Sequence, residues 1–360
     1  MQVLLNEASS MYPFLKKAVF PSSIFFCKVE PYFKTLEEGV SYFVMASASA
    51  YHQHKTTLPE VLQVEEKNLF LQRGEPTEHA LADSKKQFEA SGSRATIVSF
   101  GGGAVMDLAK ALKHEVGVPL VVIPTTPGTG SEVTPYSVLI DHKRVKVVRS
   151  HYGLLPEVVI LDPRFLQTIP KDLLGFMVVD ALAHSVEGLV SKFANPLSDA
   201  LALQAIHLIE RASQQAQEPG EDFFETLQVA GVLGGMVQGS ASVGLAHACA
   251  HYFGPRYGIH HGAAIALFLP GVLSWNASDV KVAEKLEKAS MPADDLLARI
   301  QGVLAAFDVS PPTITVRGDF DIAECATSIK KDVCMLTNPV RWTEPRLAEF
   351  IGMYVASNHS

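Results

Sequence analysis

The stretch Ala95-Thr-Ile-Val-Ser-Phe100-Gly101-Gly102-Gly103-Ala104-Val-Met-Asp107-Leu-Ala-Lys110 decides the fold of the first half of the chain. Its opening residues form an apolar run of strand length, and the residues after the glycines follow a helical rhythm that continues to His114. Glycines between a strand and a helix let the backbone come close to a ligand. The first helical N–H groups then face that ligand at the positive end of the helix dipole. A pyrophosphate is the natural occupant. The run is not Gly-x-Gly-x-x-Gly, so the turn departs in detail from the usual dinucleotide fingerprint.

On either side the same alternation recurs. Ser41 to Ala46, Asn68 to Gln72 and Pro119 to Pro124 read as strands. Thr77 caps a helix that runs through Lys86 and stops at Gly92. Strands separated by helices predict a Rossmann-like parallel sheet covered on both faces, with ligands at the carboxyl ends of its strands. The strand at Pro119 runs into Pro124-Thr125-Thr126-Pro127-Gly128-Thr129-Gly130-Ser131-Glu132-Val133-Thr134, whose hydroxyls and glycines read as a binding loop beside the phosphate turn.

After Asp162-Pro163 the rhythm changes. Long Ala-, Leu- and Gly-rich helical stretches follow, including Leu197 to Ala212 and Thr226 to His251. The expected organisation is an α/β dinucleotide-binding domain over residues 1–165 and an all-α metal-binding domain over 166–360, with the boundary between Pro163 and Pro170.

The helical half carries a ligand set. Asp180 and His184 are four apart in Val-Val-Asp180-Ala-Leu-Ala-His184, which puts them on one helix face about 5–6 Å apart at Cβ. His247 lies late in a small-residue helical run and His261 opens the next, with a turn at Phe253–Gly258 folding the second back on the first. Histidines are costly to bury without partners, and these lie among Ala, Gly and Leu. Three imidazoles and a carboxylate suit iron or zinc rather than calcium or magnesium. His251, one turn past His247, points into the same cavity; His260 faces elsewhere, and Cys249 packs.

Composition narrows the function. The chain has 360 residues, 19% of them charged, and a formal charge of −8, which argues against nucleic acid or an anionic membrane as partner. Four cysteines show no Cys-x-x-Cys spacing. Met1–Glu7 lacks the features of a signal peptide, and no apolar stretch reads as long enough to span a membrane, so a cytoplasmic location is expected.

Gly-Gly-Gly-Ala-Val-Met-Asp-Leu-Ala-Lys, Pro-Thr-Thr-Pro-Gly-Thr-Gly-Ser-Glu-Val-Thr, Asp-Ala-Leu-Ala-His-Ser-Val-Glu-Gly and His-Ala-Cys-Ala-His…His-His-Gly together resemble the iron-containing (group III) alcohol dehydrogenase family, of the dehydroquinate synthase-like superfold. The match in order and spacing runs from about Phe20 to Asn338-Pro339. It implies a metal and a nicotinamide meeting between an α/β and a helical domain. Asp180, His184, His247 and His261 fall on the family's metal-ligand positions, and His251 on a non-ligand histidine near the nicotinamide. Gly102, Gly103, Thr125, Thr126, Thr129, Thr134 and Lys146 match cofactor-contact positions, and Ala104 and Asp107 of the same turn are expected beside them. The family usually has Ser where this chain has Ala104, Asn-Pro-Thr where it has Glu75-Pro76-Thr77, and Phe-Gly where it has Phe26-Cys27.

The expected activity is therefore metal-dependent, NAD(P)-linked interconversion of a small primary alcohol and its aldehyde. Divalent iron is the first expectation for the metal and zinc the second, and a homodimer is the candidate assembly. His251 is the candidate catalytic group that passes the hydroxyl proton to solvent. Ser47 stands where NAD-preferring members carry an Asp that would repel the 2′-phosphate, so NADP is expected over NAD. Two alternatives stand beside this reading: a dehydroquinate synthase-like NAD-and-metal lyase, and an inactive metal-binding scaffold.

Overall fold

The computed structural model describes residues 18–35, 40–92, 96–142, 145–220, 222–316 and 320–357. Met1–Glu7 and Ala95 lie outside the described residues. The chain divides into two compact units, the first over Val19–Ile169 and the second from Pro170 onward.

The first unit holds β1 (Ser23–Phe26), α1 (Val29–Lys34), β2 (Tyr42–Ser47), α2 (Ala48–His54), β3 (Leu69–Gln72), α3 (Glu78–Ala90), β4 (Thr96–Gly101), α4 (Gly103–Val116), β5 (Leu120–Pro124), β6 (Tyr136–Ile140), β7 (Lys146–Ser150) and β8 (Val158–Leu161). Six of the strands form one parallel sheet in the order β1-β8-β5-β4-β2-β3. Alternation along the strands builds a core on each face. Phe43, Met45, Ile97 and Val122 pack with α4 residues on one side, while Val44, Ala46, Val98, Phe100 and Ile123 pack with Leu62 and Phe165 on the other. Thr77 caps α3 by accepting the Ala80 N–H, as its sequence context predicts. Strands β1 and β8 and the antiparallel pair β6–β7 are additions to the sequence reading.

Strand order reverses between β2 and β4, and open α/β sheets bind ligands at such a switch point. The two strands end side by side, at Ser47 and Gly101. Gly101 has φ of 149°, and a Cβ there would lie 2.7 Å from Ser47 Cβ. Only glycine lets the strand turn directly into α4 at this place.

The second unit holds α5 (Lys171–Val190), α6 (Pro196–Ser213), α7 (Phe223–Ala241), α8 (Leu245–Tyr257), α9 (His261–Ala277), α10 (Val280–Lys288), α11 (Ala293–Ala306), α12 (Ile322–Lys330) and α13 (Glu344–Gly352). One short parallel ladder, β9 (Ile314–Val316) with β10 (Val355–Ser357), joins these helices. Helices α5, α6 and α7 pack against one another, and α9 packs against α5 and α8.

Three readings are corrected here. Thr226 to His251 is not one helical stretch: the chain breaks after Ala241, where Ser242 takes φ of 63°, and α7 and α8 meet at 105°. Ser191 Oγ donates to Ala241 O at 2.5 Å and Thr337 Oγ1 to Val243 O at 2.6 Å, so side chains satisfy the carbonyls freed at the break. Phe253–Tyr257 is helix rather than turn. Pro255 sits in the last turn of α8, where its missing N–H costs only one bond, and Gly258 in the left-handed region ends the helix. Finally, α5 is long and apolar enough to cross a membrane by length and composition, contrary to the sequence expectation; 83% of its apolar window is buried inside the protein, and it carries Asp180, His184 and Glu187.

Candidate functional site

Helix α5 is buried almost all round, and its buried stretch carries three ionisable side chains: Asp180, His184 and Glu187. Their spacing of four and three residues places them on one face. Asp180 and His184 meet His247 from the first turn of α8, and the ligand atoms of these three lie within 4.8 Å of one another. His261, the first residue of α9, comes in from the more open side, its side chain 38% exposed against 2–8% for the others.

The geometry converges on one oxygen. Asp180 Oδ1 lies 3.6 Å from His184 Nε2, 3.4 Å from His247 Nε2 and 3.6 Å from His261 Nε2. Asp180 Oδ1 and His247 Nε2 are buried and make no hydrogen bond among the described residues. Ligand atoms about 2.1 Å from a tetrahedral ion stand roughly 3.4 Å from each other, which the distances from Asp180 Oδ1 to the three imidazoles match; the set whose ligand atoms all lie within 4.8 Å of one another is Asp180, His184 and His247. Burial alone would push the Asp180 carboxyl up, but the facing imidazoles of His184, His261 and His247 hold it well below the usual carboxylate range. For His247 burial pulls down, yet its carboxylate neighbours Asp180 and Glu187 outweigh this and push it up to about 9.

Glu187 was not assigned a role by the sequence reading. Its Oε2 accepts His247 Nδ1–H at 2.6 Å and Gly244 N–H at 3.0 Å, and its Oε1 accepts Ala246 N–H at 2.7 Å. Asn338 Oδ1 takes the Leu245 N–H at 3.1 Å, so two side chains cap the start of α8. A Cβ at Gly244 would lie 2.7 Å from Asn338 Oδ1 and 2.9 Å from Glu187 Oε1, which reserves that position for glycine. The signal in the sequence was the continuation of the Asp180–His184 face to Glu187.

Two further histidines lie near this cluster. The His251 ring lies 5.7 Å from the His261 ring, nearly parallel to it, and 6.4 Å from that of His247. Its Nδ1 is 3.0 Å from Asp332 Oδ2. His260 stacks on Phe176 outside the cluster, and Cys249 is wholly buried packing.

In the first unit, Gly102, Gly103 and Ala104 open α4 at the carboxyl edge of the sheet and keep partial exposure. The threonine loop lies against them: a Cβ at Gly102 or Gly103 would stand 3.0 Å from Thr126 or 2.9 Å from Thr129. Thr126 Oγ1 is buried with no hydrogen-bond partner among the described residues. Thr125 and Thr134 are buried, the latter 3.5 Å from Lys110 Nζ. Lys146 is half-exposed and pairs with Glu75 at 3.1 Å. Asp107 is engaged within the chain: it accepts from Ser131 Oγ at 2.5 Å, Lys110 Nζ at 3.0 Å and Val138 N–H at 3.0 Å. It ties α4 to the loop and to β6.

Residues 32–163 match the family model for iron-containing alcohol dehydrogenase, and residues 177–299 match that for the C-terminal part of the Fe-containing alcohol dehydrogenase family. The chain belongs to the iron-containing alcohol dehydrogenases. It is 35% identical over 286 residues to the 1,3-propanediol dehydrogenase of Citrobacter freundii, covering 70% of this chain and 74% of that protein. It is 28% identical over 279 residues to the NADPH-dependent butanol dehydrogenase of Clostridium saccharobutylicum, covering 70% and 71%. A crystal structure of 1,3-propanediol oxidoreductase superposes with a TM-score of 0.79 at 25% identity, covering 94% of this chain and 100% of that one. As a member of this family the protein is a metal-dependent, NAD(P)-linked alcohol oxidoreductase, which places the lyase and scaffold alternatives behind it.

Proposed function

We propose that Asp180, His184, His247 and His261 hold one divalent metal, and that the protein uses it to interconvert a small primary alcohol and its aldehyde. The observation that carries this is the convergence of three imidazole Nε2 atoms at 3.4–3.6 Å on Asp180 Oδ1. Three nitrogens and one oxygen suit iron first and zinc second. When bound, such an ion supplies Lewis acidity to the substrate oxygen.

For the cofactor, the Gly102–Gly103–Ala104 turn offers its backbone N–H groups to the pyrophosphate, with Thr125, Thr126, Thr129, Thr134 and Lys146 around it. Asp107 supports this turn from behind. Ser47 at the end of β2 lacks the carboxylate that repels a 2′-phosphate, and its hydroxyl can donate to one; we read the preference as NADP over NAD. A nicotinamide held there would supply the hydride chemistry. His251 takes up the hydroxyl proton in alcohol oxidation and returns it in aldehyde reduction.

The net charge of −8 supports a small-molecule substrate rather than nucleic acid, and the reading is of a cytoplasmic homodimer. A screen of short alcohols and aldehydes with both cofactors, run on iron- and zinc-loaded protein, tests the proposal. Turnover with none of them would overturn it.

A further inference from the structure

His251 is held from behind by a carboxylate that lies far away in the sequence. Asp332 Oδ2 stands 3.0 Å from His251 Nδ1, and Asp332 Oδ1 accepts the Cys334 N–H at 2.8 Å. The second bond caps the short 3-10 turn Val333–Leu336 and fixes the carboxylate's orientation. Burial would push the Asp332 carboxyl up, but the bond from His251 pulls it down to about 2. An ionised carboxylate only accepts hydrogen bonds, so the shared proton sits on Nδ1. The lone pair of the neutral imidazole is then on Nε2, on the other side of the ring from Asp332. That ring is stacked on His261, whose own Nε2 is 3.6 Å from Asp180 Oδ1.

We propose that Asp332 is a positioning residue: it holds His251 as the Nδ1–H tautomer, so that Nε2 is the atom that accepts the alcohol's hydroxyl proton. This rests on the reading of His251 as the proton carrier. In the step, the O–H bond breaks and its proton passes to Nε2. The C–H electron pair leaves as hydride to the oxidised nicotinamide, and the carbon–oxygen bond becomes double. The alcohol is oxidised, the nicotinamide is reduced, and Asp332 keeps its charge throughout.

The same three side chains, His251, Asp332 and Cys334, lie close enough to suggest a second metal site instead. Two observations weigh against it. Both Asp332 oxygens are already bonded within the chain, and burial pushes the Cys334 thiol well above its ordinary range, away from the thiolate a metal needs.

The test uses zinc-loaded holoenzyme labelled with ¹⁵N-histidine, as wild type, Asp332→Asn and His251→Asn. Asparagine can still accept the Cys334 N–H through its carbonyl while its NH₂ faces Nδ1, which forces the opposite tautomer. The proposal expects Nδ1–H at His251 in the wild type and Nε2–H in Asp332→Asn. It also expects ~10²-fold lower kcat at little-changed KM in that variant, the lower end of lost acid–base help, and one zinc per chain in both. A wild-type spectrum with Nε2–H overturns the proposal without any variant, and so does a second zinc that is lost in Asp332→Asn. A slow His251→Asn beside a fast Asp332→Asn removes the role of Asp332 alone. A fast His251→Asn removes the reading of His251 itself.

Discussion

Glu187 Oε2 and His247 Nδ1 lie 2.6 Å apart, and both side chains are almost wholly buried. The contact joins two helices that each carry candidate ligands. Because the carboxylate accepts the Nδ1–H, the lone pair of neutral His247 is left on Nε2, which faces Asp180 Oδ1 at 3.4 Å. The same carboxylate accepts two N–H groups at the start of α8 and so sets the height at which His247 enters the cavity.

Glu187→Gln is therefore expected to weaken metal binding by ~10–100-fold, the usual scale for losing such an outer partner. Competition with a chelator measures this without reference to turnover. Glu187→Ala should in addition lower the melting temperature of the metal-free protein, because it strands buried donors at about 1–3 kcal/mol each. Unchanged metal affinity in Glu187→Gln would show that the contact only packs.

Ser47→Asp is expected to swing the kcat/KM ratio of the two cofactors toward NAD by about tenfold or more, equivalent to ~1.4 kcal/mol. Ser47 ends β2 beside the glycine turn, so a carboxylate there would stand next to the adenosine end of a cofactor on that turn. A wild-type enzyme that already prefers NAD contradicts this assignment.

Much of this was legible because local signals agreed. The strand–glycine–helix stretch at Phe100–Lys110 announced the sheet and its turn into α4, and the four-residue step from Asp180 to His184 announced the face that carries the proposed ligands. What stayed hidden depends on distant pairing. Asp332 meets His251 across eighty-one residues, and no periodicity links them. The break at Ser242 was invisible because Gly-, Ala- and Ser-rich sequence reads as helix on both sides of it. The carbonyls it frees are satisfied by Ser191 and Thr337, from other elements.

Glu132 supplies a pH dependence. It is buried in the threonine loop, and burial pushes its carboxyl up to about 7 despite the opposing Lys110 charge. A folded-state value above the unfolded one means stability that is fully present below about pH 4.5 and is lost as the pH rises through 7. The loss is on the order of 3 kcal/mol by pH 8. Glu132→Gln should remove that slope, making the variant more stable than wild type at pH 8 and close to it at pH 5. Thermal melts of both proteins across this range check it; parallel curves would refute it.

The central claim is that Asp180, His184, His247 and His261 form one metal site on which turnover depends. The most direct measurement is metal content per chain and alcohol dehydrogenase activity in wild type and His261→Ala, the ligand whose greater exposure makes its replacement least disruptive to packing. The account predicts one divalent ion per chain in the wild type, with both metal and activity lost in His261→Ala while the sheet unit keeps its fold by circular dichroism. Full metal occupancy with wild-type turnover in His261→Ala would contradict it.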